Sequence, residues 1–304
     1  MRHLQLVVPV LLLLVVVGCG HGGDNPAASD GPEIIAAFYP LEFVATQIAG
    51  GNANVTNLSP PGVEPHDLEL APDQVRSLAE ADLILYIGEG FQPAVEDVIG
   101  ELSETPVIDG LEAQDELTES GNSHEEEEGH EEGASDPHVW LDPTSVASLG
   151  RAVAAEMERI DPDNADVYAR NADALGGSLA ELDDEYSATL ENCERSELVV
   201  SHEAFGHLAQ RYGLKQAGVS GIDPESEPSP GRVAEVAELA REHGVTTIFF
   251  EEQVAPDIAK VIADEIGAEF EVLDPLEFPP DGDADYFDVM RTNLDSISAA
   301  LGCG

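Results

Sequence analysis

From Ile34 onward, short apolar runs alternate with amphipathic stretches of helical period. "IIAAF" (34–38), "VTNLS" (55–59), "LILYI" (83–87) and "PVID" (106–109) read as strands. Helical stretches lie between them, for example 72–81, opened by Pro72 at a first-turn position. The second half repeats the scheme: "LVVS" (198–201), "AGVS" (217–220), "TTIFFE" (246–251) and "EFEVL" (269–273) alternate with helices near 203–213, 231–243, 256–266 and 284–301. Such alternation predicts an α/β protein with two parallel-sheet lobes, helices covering their faces. The architecture repeats; the letters do not.

Between the halves the period is purely helical. Asp142-Pro143 supplies an N-cap and an N1 proline, and Val146, Leu149, Val153, Met157 and Ile160 follow on one face. A second helix starts at Asp161-Pro162 with the stripe Tyr168, Ala172, Leu175, Leu179, Leu182, Tyr186, Leu190. Some thirty residues at 1.5 Å each span roughly 45 Å, which predicts a long rigid backbone helix, 162–192, joining the lobes. Gly176 and Gly177 each cost up to about 1 kcal/mol there and mark a place for a bend. Residues 112–136 lack apolar periodicity and are rich in Glu, Gly and Ser, so they read as a disordered insertion. The expected organisation is a signal segment 1–19, a tether 20–32, an N-terminal lobe 33–141 carrying that insertion, a helical connection 142–196 and a C-terminal lobe 197–304.

Charge narrows the class of partner. The 304 residues carry 62 acidic against 12 basic side chains, a net charge of −50. That surface repels nucleic acid and anionic membranes. It would also repel itself in dilute buffer, whereas 1 M salt shortens the screening length to about 3 Å. Because the acidity spreads along most of the chain, it points to a protein of a salt-rich cell. The start, "MRHLQLVVPVLLLLVVVGCG", has a basic residue, an apolar run shorter than the roughly 20 residues of a membrane span, and a small residue before Cys19. "VVGC" resembles a lipobox, which would make Cys19 the lipidated first residue of a chain anchored to the outer face of the cell membrane; a plain signal peptide is the alternative. Cys193 and Cys303 are left as an even pair in an oxidising compartment. Bridged, they would stabilise the fold by about 4–5 kcal/mol; two buried free thiols are the other reading.

Candidate chemistry sits at strand ends, where ligands collect in parallel α/β sheets. His66 ("PPGVEPHDLEL") follows the strand at 55–59, His138 ("SDPHVWLDP") is framed by Pro137 and Trp140, His202 ("LVVSHEAFG") ends one strand, and Asp274 ("EVLDPLEF") ends another. Taken singly, each is more often an ordinary loop residue. Two from each lobe facing a common cleft make a zinc shell of three imidazoles and a carboxylate.

At these residues the chain resembles a known family. "PPGVEPHDLELAPDQVRSLAEADLILYIG", "DPHVWLDP", "SHEAFGHLAQRYGL", "GIDPESEPSPGRVAEVAELAREHGVTTIFFEE" and "VLDPLEF" look like the metal-binding solute-binding proteins of ABC importers for zinc and manganese, over about residues 33–301. The resemblance implies two α/β lobes joined by a backbone helix, metal in the interlobe cleft, His66, His138 and His202 as ligands, and Asp274 or water fourth. It implies no enzyme, but a monomeric binding protein that hands its ion to a permease driven by a cytoplasmic ATPase. A His-containing acidic insertion before "DPH" resembles the zinc branch, and a third imidazole at 202, where manganese relatives place glutamate, favours Zn²⁺ over Mn²⁺. Pro65 stands where some zinc relatives have glutamate, which puts a role for Glu64 in doubt. Glu251 is expected behind the ligands rather than among them.

His124 and His130 sit among glutamates with nothing to fix them, and would collect metal weakly or merely solvate the loop. His21 and His243 read as surface residues. "HEAFGH" puts His207 about 140° around a helix from His202, which rules out a zinc-protease pair. A zinc hydrolase using Glu203 or Glu251 as base has no motif behind it. A surface adhesin is the remaining alternative.

Overall fold

Ile34, Ile35 and Ala36 are buried on both sides of the chain, the pattern of a central strand under two layers of helix. The computed structural model describes residues 31–118, 136–251 and 257–304. Cys19, His21, His124 and His130 lie outside them. In the N-terminal lobe the order is β1 (Glu33–Ala36), α1 (Tyr39–Ala49), β2 (Asn54–Asn57), α2 (Pro72–Glu80), β3 (Leu83–Tyr86), α3 (Pro93–Glu101), β4 (Val107–Asp109) and α4 (Gly110–Thr118). The C-terminal lobe runs β5 (Glu197–Val200), α7 (Gly206–Arg211), β6 (Lys215–Gly218), α8 (Pro230–Glu242), β7 (Thr247–Phe250), α9 (Asp257–Ile266), β8 (Glu269–Val272) and α10 (Tyr286–Leu301). Both sheets are parallel and share one topology, β2-β1-β3-β4 and β6-β5-β7-β8. Their first strands sit inside, with Ile34 level with Val55 on one side and Leu83 on the other.

The connection is α5 (Pro143–Ile160) and α6 (Ala165–Leu190). Asp142 caps α5 by accepting from the Thr144 amide. The predicted helix at 162–192 begins instead as a 3₁₀ turn, Pro162–Asn164, that folds α6 back onto α5. The predicted stripe is buried: Tyr168, Leu175, Leu179, Leu182, Tyr186 and Leu190. Gly150 lets the two helices approach, since a Cβ there would stand 3.1 Å from Leu175. Helix α6 runs unbroken through Gly176 and Gly177 and touches both α1 and α10, so one core continues from Leu83 through Tyr186 to Ile297.

Two differences from the sequence reading bear on the site. Residues 112–118, expected to be disordered, are helical. Asp109 accepts from the Leu111 amide at 2.9 Å and starts α4, and Leu111 and Ala113 pack on the core among acidic neighbours that mask the pattern. The helix expected at 203–213 shrinks to α7. The amide of Glu203 donates to Gly221 and that of Phe205 to the Gln216 side chain, which pulls 202–205 out of helical form. His202 is thereby aimed at the cleft.

The lobes are fastened beneath the cleft. Trp140 Nε1 donates to the Pro275 carbonyl at 2.7 Å, and the Tyr286 hydroxyl to the Trp140 carbonyl at 2.8 Å, both buried. Trp140→Phe strands the Pro275 oxygen and is expected to lower unfolding free energy by about 1–3 kcal/mol, read by denaturant titration; an unchanged midpoint would contradict this fastening. Cys193 and Cys303 form a disulfide that ties the end of α10 to the approach to β5.

Candidate metal centre

His66 lies in a 3₁₀ turn (Pro65–Asp67) started by Glu64, whose carboxylate accepts from the His66 amide. Its ring meets Phe91 edge-on at 4.4 Å. His138 follows Asp136-Pro137, and the Val139 amide donates to the Pro137 carbonyl at 2.8 Å, closing a tight turn over His138. His202 comes from beyond β5. These three imidazoles converge, and the fourth residue with them is Glu277.

Asp274, the residue expected in that place, does not join the convergent group. Its carboxylate accepts from the Leu276 amide at 2.7 Å. This bond supports Leu276 in the left-handed region, φ 59°, a conformation costing an L-residue roughly 1–2 kcal/mol. The reversal carries the chain past Asp274 and drives Glu277 into the cavity. A strand-end rule stops at Asp274 and has no signal for a left-handed leucine two residues on.

The four ligand atoms lie within 4.8 Å of one another. Nε2 of His138 and Nε2 of His202 are 3.4 Å apart. Glu277 Oε1 is 3.3 Å from His138, 3.5 Å from His202 and 3.8 Å from His66. Tetrahedral zinc with bonds of about 2.0–2.1 Å would set its ligands about 3.3–3.4 Å apart. Both Glu277 oxygens and His66 Nε2 are buried without a hydrogen-bond partner among the described residues. Desolvated polar atoms left this way cost free energy that a cation at their centre would offset.

Carboxylates behind two rings fix which nitrogen faces the cavity. Asp136 Oδ1 lies 2.8 Å from His138 Nδ1, and Glu251 Oε1 lies 2.5 Å from His202 Nδ1. Each accepts a hydrogen bond from Nδ1–H and leaves Nε2 for the ion. Glu251 also accepts from the Ser201 hydroxyl, which seats it. Asp136 was assigned by sequence to the insertion; the available signal was its place two residues before the histidine across a proline. Glu64 stays outside the convergent group, and burial together with the Glu277 charge pushes its carboxyl up to about 9. His207 lies on α7 against Asp136, far from a protease geometry.

A cavity of about 630 Å³ opens beside His202, with Gly62 and Glu64 from one lobe and Ser201, Glu225 and Glu227 from the other in its walls. Glu225 and Glu227 give it acidic walls suited to a hydrated cation.

Proton traffic follows from the same groups. Burial disfavours the His202 cation, but hydrogen bonding to Glu251 and attraction to Glu277 outweigh it and raise its pKa to about 10. The metal-free protein therefore holds a proton on His202 that the unfolded chain releases near 6.5. That contribution to stability is complete below about pH 6.5 and is lost as pH rises toward about 10. A metal must displace the same proton, so its affinity moves oppositely, strengthening about tenfold per pH unit for each proton released. Competition titrations at successive pH values test this; a flat profile across the window would mean that His202 is already neutral.

A profile for "Zinc-uptake complex component A periplasmic" matches residues 34–300. The chain belongs to this family. It is 34% identical over 311 residues to the high-affinity zinc uptake system protein ZnuA of Bacillus subtilis, covering 97% of each chain. It is 32% identical to the zinc-binding lipoprotein AdcA of Streptococcus pneumoniae, covering 98% of this chain and 60% of that one. The Zn(II)-bound ZnuA-like domain of AdcA superimposes with a TM-score of 0.73 at 30% identity, over 89% of this chain and 99% of that domain. The laminin-binding protein Lmb of Streptococcus agalactiae, described as having adhesin and metal-transporting activity, gives 0.78 at 30% identity over 89% and 99%. The family supplies the binding component of zinc uptake and is not a family of enzymes.

Proposed function

We propose that this protein captures Zn²⁺ outside the cytoplasm and delivers it to an ABC permease for import, held at the membrane by a lipid on Cys19. The observation that carries the reading is the meeting of His66, His138, His202 and Glu277, with ligand atoms within 4.8 Å of one another, in a cleft between two lobes. Three imidazoles and one carboxylate suit zinc, and they supply only one of the hard oxygen ligands that manganese prefers. The lipobox and the lipoprotein name of the AdcA relative support the anchor. The mechanism is coordination and release. The rings are pre-oriented by Asp136 and Glu251, so little ordering remains for the ion to impose. Ligands come from both lobes, so displacing one lobe opens the shell, and the packed α5–α6 connection limits that motion to a small shear. The spread of 62 acidic residues suits work in strong salt.

The test is a competitive Zn²⁺ and Mn²⁺ titration of residues 24–304 in concentrated KCl, with and without residues 119–135, a deletion that spares α4. One tight zinc site is expected in both forms, and His138→Ala is expected to weaken it by about a thousandfold, about 4 kcal/mol. Preference for manganese, loss of binding with the loop, or an unaffected alanine variant would each sink the assignment.

A further inference from the structure

His207 is the part of "HEAFGH" that the metal site leaves unused, and its contact is with the support of His138. Its Nε2–H donates to the Asp136 backbone carbonyl at 3.0 Å. Its neighbour Gly206 lies so close that a Cβ would stand 2.2 Å from Asp136 Oδ2. Asp136 in turn accepts from both the His138 amide, at 3.0 Å, and His138 Nδ1, at 2.8 Å, through one oxygen. The chain of contact therefore runs from α7 in the C-terminal lobe to a ligand of the N-terminal lobe. Helix α7 is itself held firmly, because Arg211 forms a two-pronged pair with Asp183 of α6 at 2.6 Å for each bond.

We propose that His207 is a positioning residue for the metal site, which fixes the Asp136 peptide from the opposite lobe so that the Asp136 carboxylate holds the His138 ring at the angle the ion requires. This rests on the zinc-binding reading above. A carboxylate orients an imidazole only as well as its own backbone is held, and Asp136 is joined to the His138 ring by a single oxygen. Fixing its carbonyl from α7 restrains the peptide about which that oxygen swings, and Gly206 leaves room for the other oxygen. The arrangement also links two events. Separation of the lobes would pull His202 and Glu277 away from His66 and His138, and in the same movement would release the brace behind His138.

The experiment compares Zn²⁺ affinity, by competition against a fluorescent chelator, with the melting temperature of the metal-free protein. Outer partners of metal ligands are worth about 10–100-fold in affinity, and the loss for His207→Ala is expected at the lower end, about tenfold. The metal-free melting temperature should remain near that of the wild type. His207→Gln keeps an N–H donor and should restore affinity to within about threefold. Asp136→Ala should cost at least as much as His207→Ala, and the double variant no more than Asp136→Ala alone, because the histidine acts through the aspartate. Wild-type affinity in His207→Ala, with or without a lowered melting temperature, overturns the proposal, as does an additive loss in the double variant. Absence of a tight zinc site in the wild type would instead overturn the underlying reading.

Discussion

Glu277→Ala is expected to weaken zinc binding by at least about a hundredfold, about 3 kcal/mol, while Asp274→Asn leaves it within about threefold. Outer partners such as Asp136 command losses of about 10–100-fold, and a direct anionic ligand should cost at least as much as the larger of these. Glu277 is 1% exposed and sits among three imidazoles. Burial opposes its charge, yet those rings hold its carboxyl well below the usual carboxylate range, so the site presents a negative charge to the ion. Asparagine at 274 keeps the Oδ1 that accepts from Leu276, and the turn that aims Glu277 survives. The two variants thus separate the residue that faces the ion from the residue that shapes the loop. Equal losses, or a greater loss at 274, would reassign the fourth ligand; calorimetric or competition titration reads either outcome.

Cys193→Ser is expected to cost about 4–5 kcal/mol of unfolding free energy, from the loop-closure entropy that the cross-link removes from the unfolded chain. The bridge joins residues 110 apart, and that sum is a large share of the 5–15 kcal/mol by which domains are ordinarily stable. The native end of α10 has further holds: the Arg195 amide donates to Leu301 and its Nε to Ala300. The folded form should therefore persist without the bridge, with zinc affinity unchanged and the denaturation midpoint lowered. A midpoint unmoved by the substitution or by reductant would show that this loop is already closed in the unfolded ensemble.

The sequence by itself determined the two lobes, the helical connection and three of the four converging residues, for reasons local to the chain. Strands such as 83–87 and 198–201 announce themselves as apolar runs, the Tyr168–Leu190 stripe as a helical face, and His66, His138 and His202 as histidines at strand ends or beside prolines. Acidic composition, by contrast, hid α4, because Leu111 and Ala113 are enough to seat it on α5 when Asp109 caps its first turn.

Only the tertiary structure decided the rest. Glu277 joins the three imidazoles through the left-handed Leu276 between it and Asp274, and that conformation is held by Asp274 and by the bond from Trp140 to Pro275, 135 residues apart. Asp136 and His207 come together from 71 residues apart. Contacts of that range leave no periodicity in the chain, since they depend on where two lobes meet and not on the order of neighbours within either one.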